Sequence, residues 1–304
     1  MVAKGALCKH GLGYRERMTG ATQSIITDRN RELLELATTY SYRELDNGGG
    51  DLAAHVFYPG ERAGGADPFS SAERPAILFF YSSSWDAGEV SQFFPHCACL
   101  AERGMVAIAC EYRTESNYGA GPIEGVEDAQ AAFRWVRREA KELGVDPEKV
   151  VGAGGSGGAF LVVCAAMAEG EAGGGGAIIE GRSGPDAMVL FSPVVDISRK
   201  GYGDERFPDA GVVKALNPLG RVGKGLPPTL IFHAVGDRMV PIEGVQKFAK
   251  RMRRKKNVCE LVEFEGVGHS FFNCNVDYER YVGTLDAADA FLVEQGFLDE
   301  REGE

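Results

Sequence analysis

A series of short apolar runs separated by segments of helical periodicity is the feature that most constrains the fold. Within each run nearly every residue is apolar, as expected for strands of a parallel sheet whose two faces are both covered by helices. Strands of this kind that alternate with helices along the chain predict a doubly wound α/β domain. The runs cover residues 76–81, 106–110, 149–153, 187–191 and 229–235.

Helices are predicted between and around these strands. The clearest is 124–143, in which Val126, Ala129, Phe133 and Val136 fall on one stripe. The remaining predicted helices are 27–38, 93–103, 156–169, 242–256 and 277–295. Further strands are predicted at 41–45, 52–58 and 258–264, and the last of these alternates between apolar and polar residues, as expected for an edge strand.

The sequence contains no internal repeat and no linker that would divide it. Residues 41–304 are therefore predicted to form a single domain, which a chain of 304 residues can support with one large core. Residues 1–40 are predicted to be an N-terminal extension or cap element. Residues 195–226 lack strong periodicity and separate two predicted strands, so they are a possible lid insertion.

Charge and hydropathy exclude two classes of partner. The net charge is −11, so long-range repulsion disfavours a nucleic-acid partner. No run approaches the ~18 uninterrupted apolar residues of a membrane-spanning helix. Residues 1–10 lack the continuous apolar stretch of a secretory signal. We therefore expect a cytoplasmic protein that is a monomer or a homodimer.

The seven cysteines are predicted to be free thiols, which suits a reducing compartment. Cys110 and Cys164 lie within apolar segments, where cysteine behaves as a small hydrophobic residue. Cys97 and Cys99 have no second pair at the spacing of a zinc site, so no metal is expected.

The sequence Gly154-Gly-Ser-Gly-Gly158 is the strongest indication of chemistry. Alone, the pattern Gly-x-Ser-x-Gly is common, but here it follows a predicted strand and opens a predicted helix. That context is typical of the nucleophile elbow, a tight turn that lifts a serine hydroxyl clear of the sheet. Ser156 is therefore the predicted nucleophile. A Walker phosphate loop is excluded because its Gly-Lys-Ser or Gly-Lys-Thr sequence is absent.

A serine hydroxyl needs a general base, and His269 is the histidine best placed to act as one. It lies in the loop directly after the last predicted strand, where it can reach the carboxyl edge of the sheet. Asp237 follows the preceding strand and is the predicted acid that orients His269. Asp196, which follows the strand before that one, remains the alternative acid.

Several further motifs occur in a characteristic order. They are Phe79-Phe-Tyr-Ser-Ser-Ser-Trp85, Cys110-Glu-Tyr-Arg113, Arg134-Trp-Val136, Gly154-Gly-Ser-Gly-Gly158, Gly236-Asp-Arg-Met-Val-Pro241 and Gly268-His-Ser-Phe-Phe272. Together they resemble the hormone-sensitive-lipase-like and acetyl-esterase or xylan-esterase-like α/β-hydrolases, over about residues 75–295. The resemblance implies the α/β-hydrolase fold and hydrolysis of short-chain carboxylic esters, including acetyl groups on sugars, without metal or cofactor.

The chain departs from this family after the first core strand. The family has His-Gly-Gly-Gly there, or an aromatic residue followed by three glycines, and this chain has Tyr81-Ser-Ser-Ser84. In the family, N–H groups of that loop and of the residue after the nucleophile form the oxyanion hole. The resemblance thus implies an oxyanion hole of Ser83, Ser84 and Gly157. Tyr81 and Trp85 are expected to bind substrate, with a core position as the alternative for Trp85.

Two other functions remain open from the sequence. One is a peptidase or amidase of the same fold, although 304 residues leave no room for the accessory domain that such enzymes usually carry. The other is a ligand-binding protein that kept the fold and lost turnover, which the altered serine loop makes conceivable.

Overall fold

A mostly parallel sheet of eight strands lies at the centre of the part of the chain that the computed structural model describes, residues 23–45, 49–60, 73–171 and 181–301. Side chains are described for these residues except 23–28 and 169–171. The strands are β1 (Ala37–Glu44), β2 (Asp51–Phe57), β3 (Arg74–Phe80), β4 (Val106–Cys110), β5 (Val145–Gly155), β6 (Ala187–Phe191), β7 (Thr229–Ala234) and β8 (Cys259–Phe264).

The strand order across the sheet is β1-β2-β4-β3-β5-β6-β7-β8. β2 is antiparallel to both of its neighbours, and every other neighbouring pair is parallel. The carboxyl ends of β3 to β8 therefore lie at one edge of the sheet, where sites in such folds form. β4, β6 and β7 are buried along their whole length, which explains their continuous apolar sequences.

Helices connect the strands and pack against them. They are α1 (Gln23–Glu35), α2 (Phe94–Glu102), α3 (Glu115–Tyr118), α4 (Pro122–Arg138), α5 (Ala140–Leu143), α6 (Ser156–Glu171), α7 (Ala210–Leu216), α8 (Pro218–Arg221), α9 (Ile242–Arg254) and α10 (Tyr278–Glu294). Short 3₁₀ helices cover Val90–Phe93 and Asp204–Arg206. None of the described helices has both the length and the hydropathy needed to cross a bilayer. The predicted α/β architecture is confirmed.

The segment predicted as one helix at 124–143 is two helices, α4 and α5. α4 begins at Pro122, whose missing N–H suits a first helical turn. The N–H of Gly121 donates to the Glu124 carboxylate at 2.9 Å and caps the same end. Glu139 interrupts the helical backbone, and Gly144, with a φ of 67°, ends α5.

The N-terminal part of the sheet begins earlier than expected. β1 starts at Ala37 and pairs with β2 from Ala37 opposite Phe57. Residues 37–40, expected to belong to the N-terminal extension, are thus part of the sheet. Thr38, Thr39 and Tyr40 favour extended backbone, which explains why the strand includes them.

Residues 195–226 connect β6 to β7 and contain one short 3₁₀ helix together with α7 and α8. α7 begins after Asp209, whose carboxylate accepts the N–H groups of Gly211 at 2.6 Å and Val212 at 3.0 Å. Phe207 and Leu219 are buried in the core. The segment is therefore anchored by packing, and its role as a lid stays a prediction.

The cysteines correct one expectation. Cys99 on α2 is disulfide-bonded, so the thiols are not all free. Sequence spacing does not show which cysteines meet in space, and for this reason the pairing could not be predicted. Five cysteines in the described part of the chain form no disulfide, and all five are buried: Cys97, Cys110, Cys164, Cys259 and Cys274.

Candidate active site

Ser156 lies at the turn from β5 into α6. Its backbone is in the left-handed region, with a φ of 50°, which residues with a side chain rarely adopt. Backbone strain of this kind persists only where the surrounding structure imposes it, and it is typical of the nucleophile elbow. The residue is 3% exposed. The structure thus has the strand, turn and helix that the sequence predicts around this serine.

The residues on either side of Ser156 have no room for a side chain. A Cβ atom on Gly155 would collide with the hydroxyl of Ser82. A Cβ atom on Gly157 would collide with the carbonyl oxygen of Ser83. At Gly157 the obstacle is the backbone of the chain that follows β3, so glycine is required there.

The loops after β7 and β8 bring Asp237 and His269 together. Oδ2 of Asp237 lies 2.6 Å from Nδ1 of His269. Oδ1 of Asp237 accepts the N–H groups of Met239 at 2.8 Å and of Val240 at 3.0 Å. The carboxylate is fully buried and both of its oxygens have partners. A neutral His269 that donates from Nδ1 to this carboxylate keeps a lone pair on Nε2.

His269 and Ser156 are held in one neighbourhood by the segment that follows β6. The Ser192 hydroxyl donates to the His269 carbonyl at 2.8 Å, and the Val194 N–H donates to the Ser156 carbonyl at 3.2 Å. Nε2 of His269 is buried and has no hydrogen-bond partner among the described residues. The imidazole therefore has one nitrogen fixed by a carboxylate and one nitrogen available.

The pKa of Asp237 reflects opposing influences. Burial is the strongest of them and by itself would raise the pKa. The hydrogen bond and charge of His269, with the N–H groups of Val240 and Met239, together outweigh burial and lower the pKa below its ordinary value. Asp237 is thus ionised at neutral pH, the form that accepts a hydrogen bond from His269.

Two further histidines near the site, His96 and His233, are buried in the core. His96 is packed among aromatic rings, and burial lowers its pKa to about 3. Nε2 of His233 lies 3.0 Å from the Val240 carbonyl oxygen and 3.6 Å from Oδ2 of Asp237, and burial lowers its pKa. Among the described residues, no group of three or more His, Cys, Asp or Glu side chains could hold a metal ion.

Asp196, the alternative acid, is bound within its own loop. Its Oδ1 accepts the N–H of Ser198 at 3.0 Å and an amide N–H of Asn217 at 3.1 Å. No hydrogen bond joins Asp196 to His269 in the described part of the chain. The geometry therefore favours Asp237 as the acid.

The chain after β3, residues Tyr81–Trp85, is called here the serine loop. The N–H of Ser82 donates to Oε1 of Gln92 at 2.6 Å. The carbonyl of Ser83 accepts the N–H of Gly157 at 3.2 Å. The N–H groups of Ser83 and Ser84 donate to no described residue. The serine loop thus reaches Gly157, as an oxyanion hole requires, but a carbonyl oxygen faces the Gly157 N–H.

The hydroxyl of Ser83 is engaged within the protein. The hydroxyl of Tyr112 donates to the Tyr81 carbonyl at 2.9 Å, so in the 2.7 Å contact between Ser83 Oγ and Tyr112 Oη the serine is the donor. Ser83 Oγ also accepts the N–H of Trp85 at 2.9 Å. This hydroxyl therefore holds the loop and has no hydrogen left for a substrate.

Trp85 and Tyr81 have different surroundings. Trp85 is 1% exposed and packs edge-on against Phe160 and Phe207, which corrects the expectation that it lines the substrate pocket. Its φ of 61° turns the chain at this residue, and the indole lies in the core. Tyr81 stacks on Tyr112, with ring centroids 4.1 Å apart, and lines a cleft of about 480 Å³. Substrate binding by Tyr81 stays a prediction.

Sequence reasoning missed two polar residues at the site, Gln92 and Asn273. They bind each other, and Gln92 also binds Ser82. Asn273 is close to His269 in the sequence and could have been suspected for that reason. Gln92 lies in a segment without a motif, so nothing in its local sequence indicates the contact.

Comparison with known proteins gives the family. Residues 67–252 match BD-FAE. The chain belongs to the BD-FAE family. The match covers most of the sheet and includes the serine loop, the elbow and Asp237, while His269 lies beyond it. The predicted resemblance to esterases of the α/β-hydrolase fold is confirmed.

Solved structures with this fold include esterase 2 of Thermogutta terrifontis. Its tabun-phosphoramylated form matches with a TM-score of 0.77 at 38% sequence identity, over 88% of this chain and 98% of that chain. Its propionate-bound form matches with a TM-score of 0.77 at 37% identity, over 88% of this chain and 97% of that chain.

Curated relatives include esterase LipC of Mycobacterium tuberculosis, which is 26% identical over 65% of this chain and 53% of LipC. The probable isoprenylcysteine alpha-carbonyl methylesterase ICMEL1 of Arabidopsis thaliana is 25% identical over 66% of this chain and 46% of ICMEL1. The chain thus spans about half the length of these relatives.

The lowered pKa of Asp237 predicts a pH-dependent contribution to stability. A carboxyl group with a lower pKa in the folded state stabilises the fold at pH values above its unfolded pKa of about 4. That stabilisation is lost as the pH falls through the folded pKa. We expect Asp237→Asn to lower the free energy of unfolding at about pH 7, and the difference from wild type to shrink toward about pH 3. Urea unfolding at both pH values measures this.

Glu260→Gln, which removes an exposed carboxylate on β8, is the control for loss of one negative charge. The prediction would be contradicted if the free energies of unfolding of wild type and Asp237→Asn differed by the same amount at both pH values.

Proposed function

We propose that the protein is a serine hydrolase that cleaves short-chain carboxylic esters through an acyl-enzyme. The observation that carries the proposal is the buried pair of Asp237 and His269, with Nε2 of His269 unpartnered among the described residues. The strained Ser156 elbow is linked to the His269 loop through the segment that follows β6. A catalytic triad requires a hydroxyl on an elbow, an imidazole with one available nitrogen, and a carboxylate on its other nitrogen. Relatives named as esterases support the same activity.

The proposed acylation step uses all three residues. Ser156 Oγ attacks the ester carbonyl carbon while Nε2 of His269 takes its proton. Asp237 holds the ring through Nδ1–H and stabilises the imidazolium that forms. His269 then gives the proton to the alkoxy oxygen of the leaving alcohol, the C–O bond breaks, and an acyl group remains on Ser156.

Deacylation repeats the same sequence with water. Nε2 of His269 takes a proton from water, whose oxygen attacks the acyl carbon. Collapse of the tetrahedral intermediate releases the carboxylic acid, and the proton on His269 returns to Ser156 Oγ.

Backbone N–H groups of Gly157, Ser83 and Ser84 are the proposed oxyanion donors. The Gly157 N–H is 3.2 Å from the Ser83 carbonyl oxygen, at the long end of the N–H···O range. An oxyanion accepts more strongly than a neutral carbonyl and can compete for this donor. The N–H groups of Ser83 and Ser84 have no described partner. Loss of one such donor typically costs ~3–4 kcal/mol in the transition state.

Short acyl groups, about two to four carbons, are the proposed substrates, with acetyl groups on sugars as one class. Esterase 2 of Thermogutta terrifontis has structures with bound propionate and butyrate, which supports acids of this length for a chain that shares its fold. We expect a small-molecule ester as partner and a monomer or homodimer in solution. A cytoplasmic location stays a prediction.

Ser156→Ala is the first test. We expect wild type to hydrolyse p-nitrophenyl acetate and butanoate faster than the decanoate ester, and to become labelled by a fluorophosphonate probe. The Ala variant should lose labelling and about 10⁶-fold in kcat, because removal of the nucleophile disables the whole triad. Mass spectrometry of the labelled protein locates the adduct. Folded wild type with neither labelling nor turnover would indicate the ligand-binding alternative.

Asp237→Asn and Asp196→Asn separate the two candidate acids. We expect the first to reduce kcat by about 10⁴-fold, since it favours the wrong imidazole tautomer. The second should change kcat less than about tenfold, because Asp196 holds only its own loop. Near-normal turnover in Asp237→Asn together with loss in Asp196→Asn would reverse the assignment.

Ser83→Ala and Ser84→Ala distinguish a hydroxyl that holds the loop from one with a single, half-buried partner. Ser83→Ala removes partners from the Trp85 N–H and from Tyr112, so we expect about 1–2 kcal/mol lower stability and at least a tenfold loss in kcat. Among the described residues, Ser84→Ala removes one side-chain contact, with the Tyr202 hydroxyl, and should change kcat less than about threefold. Steady-state kinetics and urea unfolding provide both quantities. Equal losses in the two variants would contradict the assigned role of Ser83.

A further inference from the structure

Gln92 connects the serine loop to the loop that carries His269. Its Oε1 accepts the N–H of Ser82 at 2.6 Å. Its Nε2 donates to Oγ of Ser82 at 3.1 Å and to Oδ1 of Asn273 at 2.9 Å. The reversed amide would place Nε2 against the Ser82 N–H, two donors facing each other, so these contacts determine its orientation.

Asn273 continues the connection toward the general base. Its Nδ2 donates to the carbonyl of Ser270 at 3.1 Å, and its backbone N–H donates to the same oxygen at 3.1 Å. Ser270 directly follows His269, and Asn273 is buried. The turn from His269 to Asn273 is therefore closed on itself and tied to Gln92 by one side-chain hydrogen bond.

An apolar contact runs beside this polar connection. The rings of Phe93 and Phe272, the residues next to Gln92 and Asn273, are stacked with an interplanar angle of 10° and centroids 6.0 Å apart. Two adjacent residues of one segment thus contact two adjacent residues of the other. Such paired contacts restrict rotation as well as separation of the two loops.

Ser82 contacts both Gln92 and the elbow that holds Ser156. Its hydroxyl lies against Gly155, where a Cβ atom would collide with it. With its N–H bound to Gln92, the peptide group before Ser82 cannot rotate freely. The orientation of the next peptide groups, whose N–H donors belong to Ser83 and Ser84, depends on that anchor.

We propose that Gln92 is a positioning residue, which aligns the N–H donors of the serine loop with the His269 loop and the Ser156 elbow. The inference rests on the proposed esterase function and extends it to a residue outside the triad and the oxyanion hole. Within the described chain, the Gln92 side chain makes hydrogen bonds only to Ser82 and Asn273. Both of these partners are uncharged, so the effect is one of geometry.

Replacement of Gln92 by residues of similar size tests the role. Gln92→Met keeps the length of the side chain and removes its hydrogen bonds. We expect kcat for p-nitrophenyl acetate to fall about 10–100-fold, with KM changed less than about threefold, because the transition state loses aligned donors. The rate of fluorophosphonate labelling should fall in parallel. Gln246→Met, at an exposed amide on α9 that binds Glu263, is the matched control and should behave as wild type.

Gln92→Glu adds a readout that simple packing would not change. The ionised carboxylate of this variant has no donor for Asn273, whereas the protonated carboxyl group restores one. The kcat of this variant relative to wild type should therefore rise as the pH is lowered toward about 4–5, although both absolute rates fall.

The outcomes separate the two proposals. Suppose that wild type is active. The positioning role alone is then overturned if the kcat of Gln92→Met lies within about threefold of the wild-type kcat. It is also overturned if the ratio of the Gln92→Glu kcat to the wild-type kcat does not change with pH. Wild type without turnover and without labelling overturns the esterase function and the positioning role with it. If urea unfolding shows that Gln92→Met is not folded, the pH dependence of the Gln92→Glu kcat decides whether the positioning role holds.

Discussion

The close contact between the end of β3 and the turn after β5 is the constraint on which the rest of the site depends. The two strands are parallel neighbours, with Phe80 opposite Gly154. A Cβ atom on Gly158 would collide with the carbonyl oxygens of Phe80 and Tyr81, so the helix α6 begins directly against the backbone of the neighbouring strand. This contact places the serine loop against the elbow, where Ser156 has its strained backbone conformation.

Around that contact, polar groups are fixed by partners that each loop supplies. Asp237 is held by two N–H groups of its own turn before it meets His269. His269 is held through its backbone by Ser192 and through its ring by Asp237. Because these partners are buried and belong to the fold itself, the polar groups are held in fixed positions. In the proposed oxyanion hole, the Gly157 N–H, which is bound to a carbonyl of the serine loop, is the donor that has to change partner.

The parts of the site that the sequence predicts are those encoded by local pattern. A glycine-flanked serine between a strand and a helix indicates an elbow, and residues directly after parallel strands must share one sheet edge, which identifies Ser156, Asp237 and His269 as candidates. The orientation of the Ser83 carbonyl, the burial of Trp85 and the bridge through Gln92 depend on contacts between distant segments. Such contacts cannot be predicted from the periodicity of the sequence. The family resemblance does not predict the conformation of the serine loop either, because the family has glycines at those positions.

The outer edge of β8 has a consequence for assembly. This strand pairs with β7, and Glu260 and Glu263 on it are exposed. Two copies that joined their sheets along β8 would bring the Glu260 and Glu263 carboxylates of one copy near those of the other, and like charges on paired strands are destabilising. Extension of the sheet from one molecule into the next is thus opposed at this edge by electrostatic repulsion, which protects a protein with an open, eight-stranded sheet against uncontrolled strand addition.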